Sequence, residues 1–259
     1  MRDFTLKTYK DLLYALQAQG YAFQPYAEFL KTPQNNAIIL RHDVDLLPAN
    51  SLVFAQMQNQ LGIRGSYYFR AVPESWDEEI IKAIAALGHE IGYHYECLTT
   101  CKGNLDRALD DFKTNLEALR KLVPVETICM HGSPRSEFDS KDLWKSHNYR
   151  DFGIIGEPYF DTDFSQVMYL TDTGRRWDGD KVSVRDKVQS SKFEVSGWRF
   201  KCTIDIINAA NRGDLPDQIM FTFHPQRWTE KSLPWVKELV LQNIKNVIKF
   251  YLIKTRTRK

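Results

Sequence analysis

The chain has 259 residues, 43% of them hydrophobic and 26% charged, which is the balance of an ordinary globular protein and excludes the disordered and collagen-like classes. A core large enough to fold without disulfide or metal staples can be buried at this length. The 35 basic and 33 acidic residues leave a net charge of +2, so no electrostatic footprint for nucleic acid is present and none is expected as a partner.

An opening helix is predicted over residues 7–19, with Tyr9, Leu12, Leu13 and Leu16 on one face and Gly20 where a left-handed cap is wanted. The first strand reads Ala37-Ile38-Ile39-Leu40-Arg41-His42-Asp43, and a helix near 48–61 starts at Pro48. The second strand covers residues 66–70. The next helix is expected to open on a capping box, Ser75 with Glu78, to bury Ile80, Ile81, Ile84 and Leu87, and to end at Gly88. The third strand runs from His89 to His94. A long helix then carries Leu105, Leu109, Phe112, Leu116 and Leu119, and the fourth strand runs from Glu126 to His131. Weaker strands are expected near 152–155 and 166–170, with a helix near 200–211. The last clear strand spans Gln218 to His224, and a closing helix bears Val236, Leu239, Val240, Ile244, Val247, Ile248 and Tyr251.

Strands alternating with helices imply right-handed crossovers and a largely parallel sheet. About seven strands fit one β/α barrel of the TIM type, closed or nearly so, spanning residues 1–259 as a single domain; an open doubly wound sheet is the alternative. No Gly-x-Gly-x-x-Gly follows the first strand, so dinucleotide binding has no support.

Cys97, Cys101, Cys129 and Cys202 include no Cys-x-x-Cys pair and are read as free thiols of a reducing compartment. The first seven residues lack the apolar stretch of a signal peptide, and no run reaches membrane-spanning length. A cytoplasmic, soluble protein without a transmembrane segment is expected. The basic run Lys254–Lys259 reads first as a solvated helix end, with contact to anionic lipid or polymer as the minority reading.

Side chains at the carboxyl ends of parallel strands converge on one face of such a fold. Here the first strand ends in Asp43-Val44-Asp45, the third in His94, the fourth in His131 and the last in His224. Asp43 and Asp45 point to one side and Val44 to the other. Two carboxylates so close repel unless a cation or proton lies between them. One Asp with two His is a usual catalytic ligand set for zinc, which leaves the other Asp free to act as base. The bland reading is a helix cap plus structural histidines. His42 alternates away from Asp43 and reads as packing, His89 opens its strand at the opposite end, and His147 lies in a polar loop. Glu96, two past His94, is an alternative ligand or an orienting group.

Arg41-His42-Asp43-Val44-Asp45, Gly88-His89-Glu90-Ile91-Gly92-Tyr93-His94 and Phe223-His224-Pro225 together resemble the polysaccharide deacetylase family, also called the NodB-homology or carbohydrate esterase family 4 group. The resemblance covers nearly the whole chain and looks most like small bacterial members linked to O-antigen or capsule biosynthesis. It implies a distorted (β/α)7 TIM-like barrel of NodB-homology type and removal of acetyl groups from an N-acetylated sugar, glycan precursor or polysaccharide. One divalent metal is implied, zinc suiting the imidazole-rich set and cobalt, nickel or iron also fitting. By position, Asp43 matches the catalytic base, Asp45 the metal-binding Asp, His94 the first metal-binding His and His224 the general acid. The segment 169–177 looks like the family's Asp/Trp segment, which assigns Asp172 to tuning the acid histidine and Trp177 to the acetyl pocket. Arg175 and Tyr68, with Trp228, stand as further substrate-side candidates.

Two departures stand out. The family's second histidine comes four residues after the first, where this chain has Leu98, and His131 is expected to complete the ligand set from the neighbouring strand. The family's arginine-containing motif is not cleanly present, and Arg135 is a substitute that would hold the base or a substrate anion. A non-catalytic carbohydrate-binding barrel and a hydrolase of a formamide or cyclic amide are the rival readings.

Overall fold

The computed structural model describes residues 2–132, 136–177 and 200–256. Helix α1 (Leu6–Ala18) is capped by the Thr5 side chain, which accepts from the Thr8 amide, and buries Tyr9, Leu12, Leu13 and Leu16, the face its period predicts. A short strand β1 (Ala22–Phe23) and helix α2 (Tyr26–Lys31) precede β2 (Ala37–Val44). There follow α3 (Pro48–Gln60), β3 (Ser66–Phe69), α4 (Glu78–Ala86), β4 (Glu90–Tyr95), α5 (Cys97–Thr100), α6 (Leu105–Arg120) and β5 (Ile128–Met130). Two 3-10 turns, Ser140–Lys145 and Tyr149–Phe152, lead to α7 (Pro158–Asp161), β6 (Met168–Thr171), α8 (Thr203–Arg212), β7 (Gln218–Phe223) and a long helix α9 (Ser232–Arg256).

All pairings are parallel, in the order β5-β4-β3-β2-β7-β6. β1 pairs with the start of β2, Ala22 opposite Ala37, on the edge that β3 takes over at Arg41 opposite Ser66. β5 and β6 do not pair among the described residues, so the fold is a distorted β/α barrel left open at one seam.

Alternation along β2 divides the interior in two. Ile38, Leu40 and Val44 join Tyr67, Phe69, Ile91, Tyr93, Ile128, Ile219, Phe221 and Phe223 in the main apolar core under the helices. Ala37 and Ile39 point inward and meet Tyr26, Phe29, Phe164, Val167 and Met220, an apolar plug at the amino-terminal end of the barrel. Above the plug the inward positions turn polar, beginning with Glu90, which accepts from Ser66 Oγ at 2.6 Å and from Thr127 Oγ1, and continuing to Arg41 and Asp43. His42 points outward, as alternation requires. It stacks on Tyr67 with ring centroids 4.1 Å apart, and burial depresses its pKa to about 3. His89 accepts from the Gly65 amide and bonds the Ala55 carbonyl, a structural role at the far end of its strand.

Three expectations about elements change. Ser75 does not cap α4; the cap is Asp77, which accepts from the Ile80 amide, while Ser75 Oγ donates to the Val44 carbonyl and accepts from the Arg70 amide. The residues near 152–155 form no strand: Phe152 ends a 3-10 turn, and only Gly156 bridges to Thr127. His147 is half-buried rather than free in solvent.

Gly92 occupies an inward position of β4 where a Cβ would fall on the Tyr68 ring. Gly92→Ala is therefore expected to destabilise by about 1–3 kcal/mol, the usual cost of overpacking. Urea unfolding midpoints of the two proteins check this, and an unchanged midpoint would show that the ring can move aside.

Candidate metal centre and active site

β2, β4, β5 and β7 each deliver one or two functional side chains to the carboxyl end of the barrel. One oxygen of Asp45, one nitrogen of His94 and one of His131 lie within 4.8 Å of one another. His94 Nε2 is 3.6 Å and His131 Nε2 is 3.5 Å from Asp45 Oδ1. Asp45 Oδ1 is buried and has no hydrogen-bond partner, while Asp45 Oδ2 accepts from Gln226 Nε2 at 3.1 Å.

The far nitrogen of each imidazole is already committed. His94 Nδ1 faces the Cys129 carbonyl at 2.9 Å, an acceptor, so that nitrogen carries the hydrogen and Nε2 keeps its lone pair. His131 Nδ1 meets Glu96 Oε2 at 2.9 Å, and Arg70 holds the other Glu96 oxygen, with Nε donating at 2.8 Å. A carboxylate oxygen and two nitrogens whose proton-bearing sides face away make a convergent set of acceptors. Such a set fits a divalent cation, and a carboxylate behind a ligating imidazole is the usual support for one. Glu96 thus stands behind His131 rather than beside it. Leu98 is buried in the core. A second grouping, Asp43, His94 and Cys129, meets the same distance criterion, but the two Asp43 oxygens are held by another partner.

That partner is Arg41. Its Nε donates to Asp43 Oδ1 at 2.8 Å and its Nη2 to Asp43 Oδ2 at 2.6 Å, a buried two-point ion pair. Burial works against charge on Asp43, but Arg41, with His94 and His224 nearby, holds its carboxyl below the usual range. Burial likewise opposes charge on Asp45, and the His94, His131 and His224 imidazoles outweigh it. Arg41 was not singled out from the sequence, yet the signal was there: residues two apart on a strand share a face.

His224 completes the site. Its Nδ1 is 2.5 Å from Asp172 Oδ1, and its Nε2 lies 3.9 Å from Asp45 Oδ2. Asp172 is fully buried and also accepts from the His224 amide, from Arg227 Nη1 at 2.9 Å and from Trp228 Nε1 at 2.7 Å. Burial raises its pKa, but His224 and Arg227 lower it further.

The other described sequence candidates have partners of their own. Tyr68 is fully buried, with its hydroxyl bonded to Thr127 Oγ1 at 3.0 Å. Trp177 packs on Phe221 and Phe223 and donates from Nε1 to Thr203 Oγ1 at 2.9 Å. Arg175 lies over the Phe4 and Trp235 rings. Arg135 falls outside the described residues.

Burial lowers the His131 pKa, but Glu96 and Asp45 raise it further, so on balance it stands above the ordinary imidazole value. Protons should therefore compete for this nitrogen at a higher pH than usual, and bound metal should fall as pH drops through that raised value. Elemental analysis after dialysis between pH 8 and pH 5 reads this; occupancy unchanged over that range would remove His131 from the ligand set. Glu96→Gln should weaken metal affinity by about 10–100-fold.

No family model matches the chain, and no curated protein matches it. Solved structures do. A CE4 family pseudoenzyme from Bacillus anthracis is 13% identical, with a TM-score of 0.45 over 84% of this chain and 62% of that one. The chain thus spans less than two thirds of that relative's length, as it does for a mutant of such a CE4 pseudoenzyme, at 64%. A CE4 esterase from Streptococcus mutans is 14% identical with a TM-score of 0.45, covering 90% of each chain. A peptidoglycan N-acetylglucosamine deacetylase is 15% identical with a TM-score of 0.44, covering 90% of this chain and 89% of that one. The pseudoenzyme and the Streptococcus mutans esterase carry the CE4 name, that of the family the sequence motifs resemble.

Proposed function

We propose that this protein is a metal-dependent hydrolase that removes acetyl groups from N-acetylated sugars. The observation that carries the reading is the division of the two neighbouring aspartates. Asp45 faces two imidazoles with an unpartnered oxygen, while both oxygens of Asp43 accept from Arg41, with His94 Nε2 3.8 Å from one of them. One carboxylate is arranged to hold a cation and the other to accept a proton.

Asp45, His94 and His131 would hold the ion, and zinc suits them best. A divalent cation there supplies positive charge against an amide carbonyl oxygen and acidifies the attacking water. Asp43, kept ionised by Arg41, takes the proton from that water. Arg41 also fixes the carboxylate plane, because both oxygens are engaged. His224, its Nδ1 tied to Asp172, presents Nε2 to the same space and gives a proton to the departing amine. An amide nitrogen leaves poorly unless protonated, so this donor is required rather than helpful. Asp172 acts through His224, orienting the ring and stabilising its protonated form. The sugar carrier, whether nucleotide, lipid or polymer, and a place in O-antigen or capsule assembly rest on the sequence resemblance.

Acetate release from N-acetylglucosamine oligomers by metal-loaded protein tests the reading. Asp43→Asn is expected to lower kcat by about 10²–10⁴-fold while bound metal stays constant. Full activity in Asp43→Asn would discard the base assignment. Stoichiometric metal with no acetate release from any N-acetylated sugar would favour a carbohydrate-binding barrel, and formate release from formylated amines would favour the other hydrolase reading.

A further inference from the structure

Helix α9 meets the body of the protein with its polar and aromatic side and turns its aliphatic side outward. Trp235 Nε1 donates to the Asp3 carbonyl at 2.7 Å, and the Arg2 and Arg175 guanidinium groups lie over its ring at 5.5 and 4.8 Å. Asn246 donates to the Gly174 carbonyl at 2.9 Å, and Gln242 is buried. Leu233, Val236, Val240, Ile244 and Val247 recur at steps of three and four, which aligns them in one stripe along the helix. Their exposures are 81, 48, 52, 53 and 57%. A surface helix ordinarily turns such a stripe to the core. Here it faces away, and a continuous row of exposed aliphatic side chains marks a binding surface rather than scattered surface apolar residues.

Charge selects the occupant. Residues 231–259 carry eight Lys and Arg against one Glu, a net +7, while the remaining 230 residues carry a net −5. A second copy of the helix Ser232–Arg256 would bring +4 against +4, with Glu238 the only acidic residue per helix to pair across the seam. Nucleic acid offers negative charge but no apolar phase for five aliphatic side chains. An anionic bilayer offers both, in the arrangement that an amphipathic helix lying in the headgroup plane uses. No described helix is long and apolar enough to cross a membrane, so α9 would lie along the surface.

We propose that α9 docks the protein on an anionic lipid surface, with Leu233, Val236, Val240, Ile244 and Val247 immersed at headgroup level and the exposed Lys231, Lys237 and Lys245 set against lipid phosphates. The docking does not rest on the hydrolase reading, and its test does not read activity. Full-length protein is sedimented with vesicles of phosphatidylcholine alone and of phosphatidylcholine with phosphatidylglycerol. Affinity for the anionic vesicles is expected to exceed that for the neutral ones by about tenfold or more and to fall as salt rises. The double variant Val240→Glu/Ile244→Glu, at exposed positions where folding is not at stake, is expected to lose that binding by about tenfold or more while its unfolding midpoint stays put. No binding to anionic vesicles, equal binding to both kinds, or undiminished binding by the double variant would overturn the proposal. So would a dimer in sedimentation equilibrium that the same variant breaks, which would assign the stripe to a second copy.

Discussion

The centre of this molecule is a set of acceptors with nothing positive among them. Asp45 Oδ1 faces His94 Nε2 and His131 Nε2, and the ring hydrogens that could have satisfied it are spent on the Cys129 carbonyl and on Glu96. A buried carboxylate oxygen without a donor is costly, on the order of 1–3 kcal/mol or more for a charged group. Protonating an imidazole would relieve it, and so would a divalent cation. Either leaves both supporting hydrogen bonds on the Nδ1 sides in place, but only a cation engages the oxygen and both nitrogens at once.

The same logic explains why two aspartates two residues apart do not compete. Each is buried with its own partners: the Arg41 guanidinium for Asp43, the imidazoles for Asp45. A buried ion pair is weak support for stability as such, but removing one partner leaves the other charge stranded at a cost of about 3–5 kcal/mol. Arg41 and Asp43 are thereby locked together. The Asp43 carboxylate is held in one orientation on the strand that leads straight into Asp45, so the end of β2 fixes how the two carboxylates stand to one another. His224 is fixed with comparable redundancy, since Asp172 binds its ring, its backbone amide and the Trp228 indole at once.

Much of this could be read from the sequence because it follows periods of two and 3.6. The strands bearing Asp43, His94, His131 and His224 were legible as short apolar runs, and alternation correctly sends Val44 to the helices and Asp43 inward. What failed is what periodicity does not carry. Ser75 and Glu78 have capping-box spacing, yet Asp77 caps the helix, because the Ser75 hydroxyl is drawn to the Val44 carbonyl by a tertiary contact no local pattern announces. Arg41 was passed over although its spacing from Asp43 was visible, since a charged residue in an apolar strand reads as an anomaly until its partner is identified. Trp177 and Arg175 lie beside Asp172 in sequence, and past the left-handed backbone at Arg175 (φ 55°) they pack on Phe221, Phe4 and Trp235.

The substitution of leucine at position 98 has its own account in strand geometry. Two imidazoles four residues apart on a helix stand about 5–6 Å apart at Cβ. Diagonal neighbours two residues apart on adjacent strands stand about 7–8 Å apart, still within reach of long side chains. The β4–β5 register pairs His94 with Cys129 and Tyr95 with Met130, and its next step sets Glu96 level with His131. His131 thus lies two residue pairs above His94 on the adjoining strand, a diagonal neighbour whose ring centroid is 5.1 Å from that of His94. The register that delivers this imidazole also delivers the carboxylate that orients it, with the His131 amide bonded to the Tyr95 carbonyl at 2.8 Å. The diagonal placement brings the two imidazoles together, and the group that orients His131 comes from the residue level with it, Glu96.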